Sequence, residues 1–196
     1  MFAYCGNCPT SRCDPCGCFF LYDLLNNLKD RLWKLGAEIL ELGGYYLSAQ
    51  LLRLAASGAN NEYYALDGSY TADLIESDSK FINAVKEDYA NVNNEFGYYV
   101  SDTKGYTFDL SGGDLGAALH NVSYRYIGFN DAITGEHKLF ITVEDTFDFT
   151  EFKNPFTQGN LKSAFLWAMN DIAYIDSKWG LLDPVSVEIV VVVPIR

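Results

Sequence analysis

The chain of 196 residues carries 26 acidic and 14 basic side chains, which gives it a formal net charge of −12. A surface of this sign repels the phosphate backbone, so we expect no nucleic-acid partner. Hydrophobic residues make up 49% of the chain and aromatic residues 15%, which excludes a disordered tail and indicates a folded domain with an aromatic-rich core.

A long amphipathic helix is predicted from about Phe19 to Leu42. Its apolar residues recur at three- and four-residue spacings on one face. They are Leu21, Leu24, Leu25, Leu28, Leu32, Leu35, Ile39 and Leu42. We expect this face to pack into the core, and docking on a membrane surface or a partner is the alternative. A second helix over residues 45–56 is expected to form a hairpin with the first.

Two further helices are predicted between residues 72 and 92. The pattern breaks near Ser77 and Asp78, and either side chain can cap the helix that follows. The polar run before them, residues 58–71, is predicted as a loop. The helical half of the chain therefore spans residues 19–92.

Residues 96–196 have the composition of a β-sheet. Their β-branched and aromatic stretches are separated by Gly, Asp and Asn, which favours a series of antiparallel strands. Asp114 is expected to cap a short helix between two strands, and helical spacing returns over residues 160–179. The predicted fold is α+β, with an N-terminal helical half followed by an antiparallel, twisted sheet and one packed helix.

All five cysteines lie in the first 18 residues, within "YCGNCPTSRCDPCGC". Two C-x-x-C pairs can supply four thiolates to zinc, but only four residues separate the pairs. Structural zinc sites usually separate them by about 12 or more. The odd cysteine count and the absence of an export signal in this sequence argue against disulfide bonds. We favour a turn segment with tolerated cysteines, and zinc and disulfides remain the alternatives.

The residues around these cysteines resemble the closing segment of the Rhs repeat-associated core. The matching positions are Phe2, Tyr4, Cys5, Gly6, Asn7, Pro9, Asp14, Pro15 and Gly17. In Rhs proteins, the segment after this junction is a variable C-terminal domain. It is often a toxin that is delivered into competing bacteria and neutralised by an immunity protein.

The resemblance implies two parts: residues 1–18 as a remnant of the core junction and residues 19–196 as the effector domain. It implies a polymorphic toxin of interbacterial competition, delivered as part of a larger secreted Rhs protein. It also implies a cognate immunity protein as the partner. We expect no signal peptide in this chain.

Catalysis, if present, is expected to depend on carboxylates. His120 and His137 are the two histidines, the cysteines lie at the N-terminal edge, and neither a P-loop nor an H-E-x-x-H pattern occurs. The alternation of "VEDTFDF" places Asp145 on the apolar face of a strand that also carries Ile141 and Val143. A carboxylate there either has a structural role or has a raised pKa suited to acid–base or metal chemistry.

From Phe108 onward, the chain resembles the catalytic domain of colicin M-type bacteriocins, which hydrolyse lipid-linked peptidoglycan precursors. In that family a strand ends in Asp-x-Tyr-Asp, and a His-Arg pair, a helix and a last β segment follow. Asp145, Phe147 and Asp148 occupy the first three positions, and Asn154-Pro155 stands where His-Arg is expected.

This second resemblance implies that Asp145 and Asp148 are catalytic. They would orient a water or a divalent metal such as Mg²⁺ for attack on a phosphodiester. His137 and Lys153 are the nearest basic groups that can replace the missing pair. The alternative function is a non-enzymatic toxin or interaction domain that acts by protein binding or membrane contact. No apolar run reaches the ~18 residues of a membrane span.

Overall fold

Helix α1 spans Cys18–Leu42 in the computed structural model, which describes residues 18–58, 61–91, 98–109, 113–130, 136–148, 173–174, 176–178 and 182–195. Helix α2, Tyr46–Ser57, follows a short turn in which Gly44 has a φ of +85°, a conformation that glycine tolerates best. The backbone N–H of Tyr45 donates to the Leu40 carbonyl at 2.9 Å and tightens the turn. The predicted helical hairpin is confirmed.

The buried face of α1 is not the predicted one. Trp33, Ala37 and Leu40 are buried against the rest of the molecule, together with Gly36. The small side chains at Gly36 and Ala37 allow a second helix to approach closely. At 100° per residue, the centre of the leucine face lies roughly 130° around the helix axis from the centre of the buried face. Leucines of this face are exposed wherever their side chains are described. Core packing of that face was therefore the wrong expectation.

Helices α3 and α4 span Tyr70–Ser77 and Ser79–Ala90 and meet at Asp78. The Asp78 backbone N–H donates to the carbonyl of Ile75 at 3.1 Å and closes α3. Its carboxylate accepts from the backbone N–H of Phe81 at 2.9 Å and caps α4. The predicted break and its cap are confirmed.

Six strands form one mixed sheet, and the α+β class is confirmed. The strands are β1 Glu62–Ala65, β2 Tyr98–Val100, β3 Lys104–Thr107, β4 Asn121–Asn130, β5 His137–Phe147 and β6 Val185–Ile195. Their order is β1-β6-β5-β4-β2, and β3 also pairs with β4. All pairs are antiparallel except β1 with β6, which is parallel.

Strand β1 corrects two expectations: it lies within the predicted loop, and its pairing makes the sheet mixed and not wholly antiparallel. Four residues are too few to show a clear two-residue period. Only Ala65 is buried, while Glu62 and Tyr64 are exposed at the edge of the sheet. The strand forms because β6, more than a hundred residues away in sequence, presents unpaired backbone groups to it.

The helices cover one face of the sheet. Alternate residues of the three long strands point into the core, among them Tyr126 of β4, Ile141 of β5 and Ile189 of β6. Phe81 of α4 packs its ring against Tyr124 with ring centres 5.3 Å apart in an edge-to-face arrangement. The aromatic-rich core expected from the composition is present.

Helix α5, Asp114–Ala118, lies where a short helix was predicted, but Asp114 does not cap it. The cap position is Gly113, and the Asp114 carboxylate instead accepts hydrogen bonds from the backbone N–H groups of Leu47 and Ser48 at 2.6 and 2.9 Å. Those two groups belong to the first turn of α2, whose own cap residue, Tyr45, offers no side-chain bond. Asp114 therefore caps α2 from a distant element.

Three expectations lie outside the described residues. They are the cysteine cluster and the Rhs junction of residues 1–18, except Cys18, which begins α1, and most of the helix predicted over residues 160–179. The described parts of that last segment, residues 173–174 and 176–178, are helical.

Candidate functional site

Asp145 lies near the end of β5 and faces the core side of the sheet, as the strand period predicted. Val143 precedes it on that face and is fully buried, and Val187 is its partner on β6 and is 1% exposed. Burial raises the pKa of Asp145 to about 6. The backbone N–H of Thr146 donates to its Oδ1 at 2.7 Å and opposes that effect only in part. Asp145 is thus a strengthened base.

Two further charged groups act on Asp145. The negative charge of Asp148, three residues on, raises the pKa of Asp145, and His120 lowers it. Asp148 is exposed, just past the end of β5. The structure therefore brings together the two predicted carboxylates and adds His120 to them.

His120 is held by two hydrogen bonds to Phe108. Its backbone carbonyl accepts from the N–H of Phe108 at 2.9 Å, and its ring Nδ1 lies 3.1 Å from the Phe108 carbonyl oxygen. A carbonyl oxygen can only accept, so this bond requires the proton on Nδ1. Nε2 is then the ring nitrogen that this bond leaves available for other contacts.

The pairing of β4 with β5 brings His120 to the aspartates. Ser123 pairs with Glu144, so the residues just before β4 lie beside the end of β5. His120 and Asp145 are 25 residues apart in sequence, and no short motif links them. The only available signal was that each stands at the boundary of a predicted strand, which is too general to single out the pair.

Asn61 adds a polar group to the same end of the sheet. It precedes β1, and its backbone carbonyl accepts from Ser186 of β6 at 2.7 Å. Its side-chain Oδ1 is buried and has no hydrogen-bond partner within the described part of the chain. A buried acceptor of this kind is costly unless another donor satisfies it. Asn61 stands beside β6, which in turn pairs with β5 at Asp145.

The basic residues suggested by the sequence are not brought to Asp145. His137 begins β5, eight residues before Asp145, so it lies about 26 Å away along the strand. As a substitute for the missing His-Arg pair, His137 was the wrong choice. Lys153 and Asn154-Pro155 lie outside the described residues. Among the basic groups in the described residues, His120 acts on Asp145.

The divalent metal implied by the resemblance finds no three-ligand site here. Across residues 18–58 and the other described ranges, no group of three or more His, Cys, Asp and Glu side chains is arranged to hold a metal ion. Asp145 and Asp148 alone offer two carboxylates, and the buried one is already bound by a backbone N–H. The described residues therefore do not fit a resident metal.

A surface hollow lies at the opposite end of β5, beside His137 and Lys138. Its charged groups serve the fold: Lys138 pairs with Glu136 at 3.2 Å, and Asp67 accepts from the backbone N–H of Val192 at 2.8 Å. The hollow lacks a buried group with a shifted pKa, as far as its described lining goes. Asp145 is the better candidate.

No family model matches this chain, and no curated protein or solved structure is significantly similar to it. None of the helices in the described ranges is both long and apolar enough to cross a bilayer. The chemistry of Asp145, Asp148 and His120 is therefore the basis for a function.

Proposed function

We propose that this chain is the effector domain of an Rhs-type polymorphic toxin and a hydrolase of a phosphodiester or lipid-linked cell-wall precursor. The observation that supports the hydrolase is the raised pKa of Asp145. This carboxylate faces the core, has a pKa of about 6 and lies near enough to His120 to feel its charge. The Rhs context is supported by the junction-like residues, among them Tyr4, Asp14 and Pro15.

Asp145 is the general base. A carboxylate with a pKa near 6 is mostly ionised at neutral pH and still binds a proton about a hundredfold more tightly than an ordinary aspartate. It takes a proton from a water molecule whose oxygen forms the new bond to phosphorus. The bond from phosphorus to the leaving oxygen then breaks, and that oxygen needs a proton.

His120 is suited to supply that proton. The Phe108 carbonyl holds Nδ1–H, so Nε2 is the ring nitrogen from which His120 would donate to the leaving oxygen. The imidazolium charge also offsets the repulsion between an anionic phosphate and the two aspartates. Asp148 keeps Asp145 basic through its negative charge. The three residues thus divide base, acid and electrostatic roles among them.

The proposed partner is a cognate immunity protein. A toxin that acts on a bacterial target endangers its own producer, so the producer must block it. The net charge of −12 favours a basic binding surface on such a partner. The product of a small neighbouring reading frame is the natural candidate to test by co-expression.

The decisive experiment compares Asp145→Asn with Glu144→Gln. Both substitutions neutralise one carboxylate on adjacent positions of β5, but Glu144 faces the other side of the sheet and pairs with Arg125 at 3.2 Å. Each variant is expressed without an immunity protein in a bacterial host, once in the cytoplasm and once exported to the periplasm. Circular dichroism confirms that each variant is folded.

We expect export of the unmodified chain and of Glu144→Gln to kill the host, and export of Asp145→Asn to be tolerated. A labelled lipid-linked precursor should be cleaved by the first two proteins and not by the third. If folded Asp145→Asn still kills, the hydrolase proposal is lost and action through binding takes its place. Killing from the cytoplasm alone would exclude the cell-wall precursor as the target.

A further inference from the structure

Helix α1 presents an apolar stripe that the rest of the described molecule does not cover. Leu28, Leu32 and Leu35 are 56%, 58% and 52% exposed, and the stripe continues through Ile39 and Leu42 at 39% and 89%. Isolated exposed leucines are common, but five on one helix face form a contiguous patch. Such a patch marks an interaction surface.

The spacing of the stripe is that of a heptad repeat. Its residues follow one another at intervals of four, three, four and three, which is the 3.5-residue period of a coiled coil. Leu28, Leu35 and Leu42 fall at d positions, and Leu32 and Ile39 fall at a positions. In the sequence, Leu21 and Leu25 continue the same order toward the start of α1. This period fits another helix as the covering surface.

The opposite face of the same helix is already used. Trp33 and Ala37 are buried, and Trp33 also donates from its ring N–H to Asp176 at 2.9 Å. The heptad stripe therefore does not hold the hairpin together. It is apolar in addition to the surface that the hairpin buries, and the described part of the fold gives no reason for its leucines.

The charges beside the stripe indicate which helix covers it. Arg31 and Glu38 both occupy g positions, one heptad apart, and both are exposed. Glu38 also lies close enough to Arg53 of α2 for the two charges to interact. When two copies of this helix pair antiparallel, their g flanks face each other. A two-fold axis near Leu35 then places Arg31 of each copy opposite Glu38 of the other. The stripe is electrostatically complementary to itself.

We infer that α1 is a self-association surface and that two copies of this chain pair through it as an antiparallel coiled coil. A membrane surface is disfavoured because the stretch from Leu28 to Leu42 carries three basic and three acidic residues. Helices that bind anionic lipid usually have a clear basic excess. The inference does not depend on the hydrolase, because Asp145 lies on β5 and not on α1.

The first test disrupts the stripe. Light scattering of the full chain should give twice the mass of one chain at micromolar concentration. The double variant Leu32→Glu/Leu35→Glu should be monomeric, because two charges cannot be buried in the seam without partners. Lys34→Glu, on the charged face of the same helix, is the control and should remain dimeric. Circular dichroism should show unchanged helix content in all three.

The second test reverses the charges at the g positions and leaves the apolar residues of the stripe unchanged. Arg31→Glu alone and Glu38→Arg alone place like charges opposite each other, and each should weaken self-association about tenfold over the two pairs. The double variant Arg31→Glu/Glu38→Arg should recover it. Mixing the two single variants should give a heterodimer that is tighter than either homodimer.

The inference is overturned by a monomeric unmodified chain, or by a dimer that persists in Leu32→Glu/Leu35→Glu. It is also overturned if the unmodified chain stays monomeric in solution but sediments with vesicles of phosphatidylcholine and phosphatidylglycerol, which would assign the stripe to a membrane surface. If Arg31→Glu and Glu38→Arg self-associate as tightly as the unmodified chain, the antiparallel arrangement is excluded.

Discussion

The carboxylate of Asp114 caps helix α2 through Ser48, 66 residues earlier in the chain. Its Oδ1 accepts from the backbone N–H of Ser48 at 2.9 Å and from its hydroxyl at 2.8 Å. Asp114 is 7% exposed, and α2 has no cap from its own sequence. This contact ties the helical hairpin to the β-rich half of the chain.

Replacing Asp114 should therefore destabilise the whole fold. We expect Asp114→Ala to lower the free energy of unfolding by about 2 to 4 kcal/mol, because it leaves the buried N–H groups of Leu47 and Ser48 without acceptors. Urea denaturation measures the change. The control is Asp73→Ala, which removes an exposed carboxylate in the first turn of α3 and should change stability by less than about 1 kcal/mol. Equal losses would contradict the capping role.

Gly128 of β4 is expected to tolerate no side chain. A Cβ at this buried position would overlap the ring of Tyr89 from α4. Gly128→Ala should destabilise the protein by about 1 to 3 kcal/mol, as overpacking does. Gly105→Ala in β3 is the matched control, since its Cβ would meet nothing within 4 Å. Thermal unfolding of both variants checks the prediction, and a stable Gly128→Ala would mean that the Tyr89 ring can move aside.

Asp145 should make stability depend on pH. It takes up a proton at about pH 6 in the folded protein but near 3.8 when unfolded. Between these values the folded state binds more protons, so the contribution of Asp145 to stability falls as pH rises from about 4 to about 6. Asp145→Asn abolishes this titration. It should raise the free energy of unfolding at neutral pH by about 1 to 2 kcal/mol, after allowance for partial solvent exposure.

Urea denaturation at about pH 4 and about pH 7 measures this effect. Glu144→Gln should show the same pH dependence as the unmodified chain, because Glu144 faces the other side of the sheet, is 43% exposed and pairs with Arg125. A variant Asp145→Asn that is less stable than the unmodified chain at neutral pH would assign Asp145 a structural role.

On the acid side of its pH profile, hydrolysis with Asp145 as the base should reach half of its maximum near the pKa of about 6. The base acts only when it is ionised. At higher pH the rate should fall again, because the proposed acid, His120, acts only when it carries a proton. The rate of cleavage of bis(p-nitrophenyl) phosphate between about pH 4 and about pH 8 measures the profile. His120→Gln should lower the rate at every pH without moving the Asp145 midpoint far. A midpoint near 4, as for an ordinary aspartate, would contradict the assignment of the base.

Sequence reasoning was most accurate where structure is local. The break between α3 and α4 at Asp78 followed from a capping residue within one turn of the groups it binds. The side of β5 on which Asp145 lies followed from the two-residue period of a strand that spans His137–Phe147. Each of these depends on fewer than a dozen neighbouring residues, so the sequence alone determined them.

The tertiary structure decided which of several compatible surfaces and contacts is used. Helix α1 is apolar on two faces, and only its packing in the folded molecule buried Trp33 and left Leu32 outside. The pairing of β4 with β5 brought His120 to Asp145, and α2 received its cap from Asp114. These contacts join residues between 25 and 66 positions apart. Periodicity and propensity carry no information over such distances, because the contacts depend on which elements share a core.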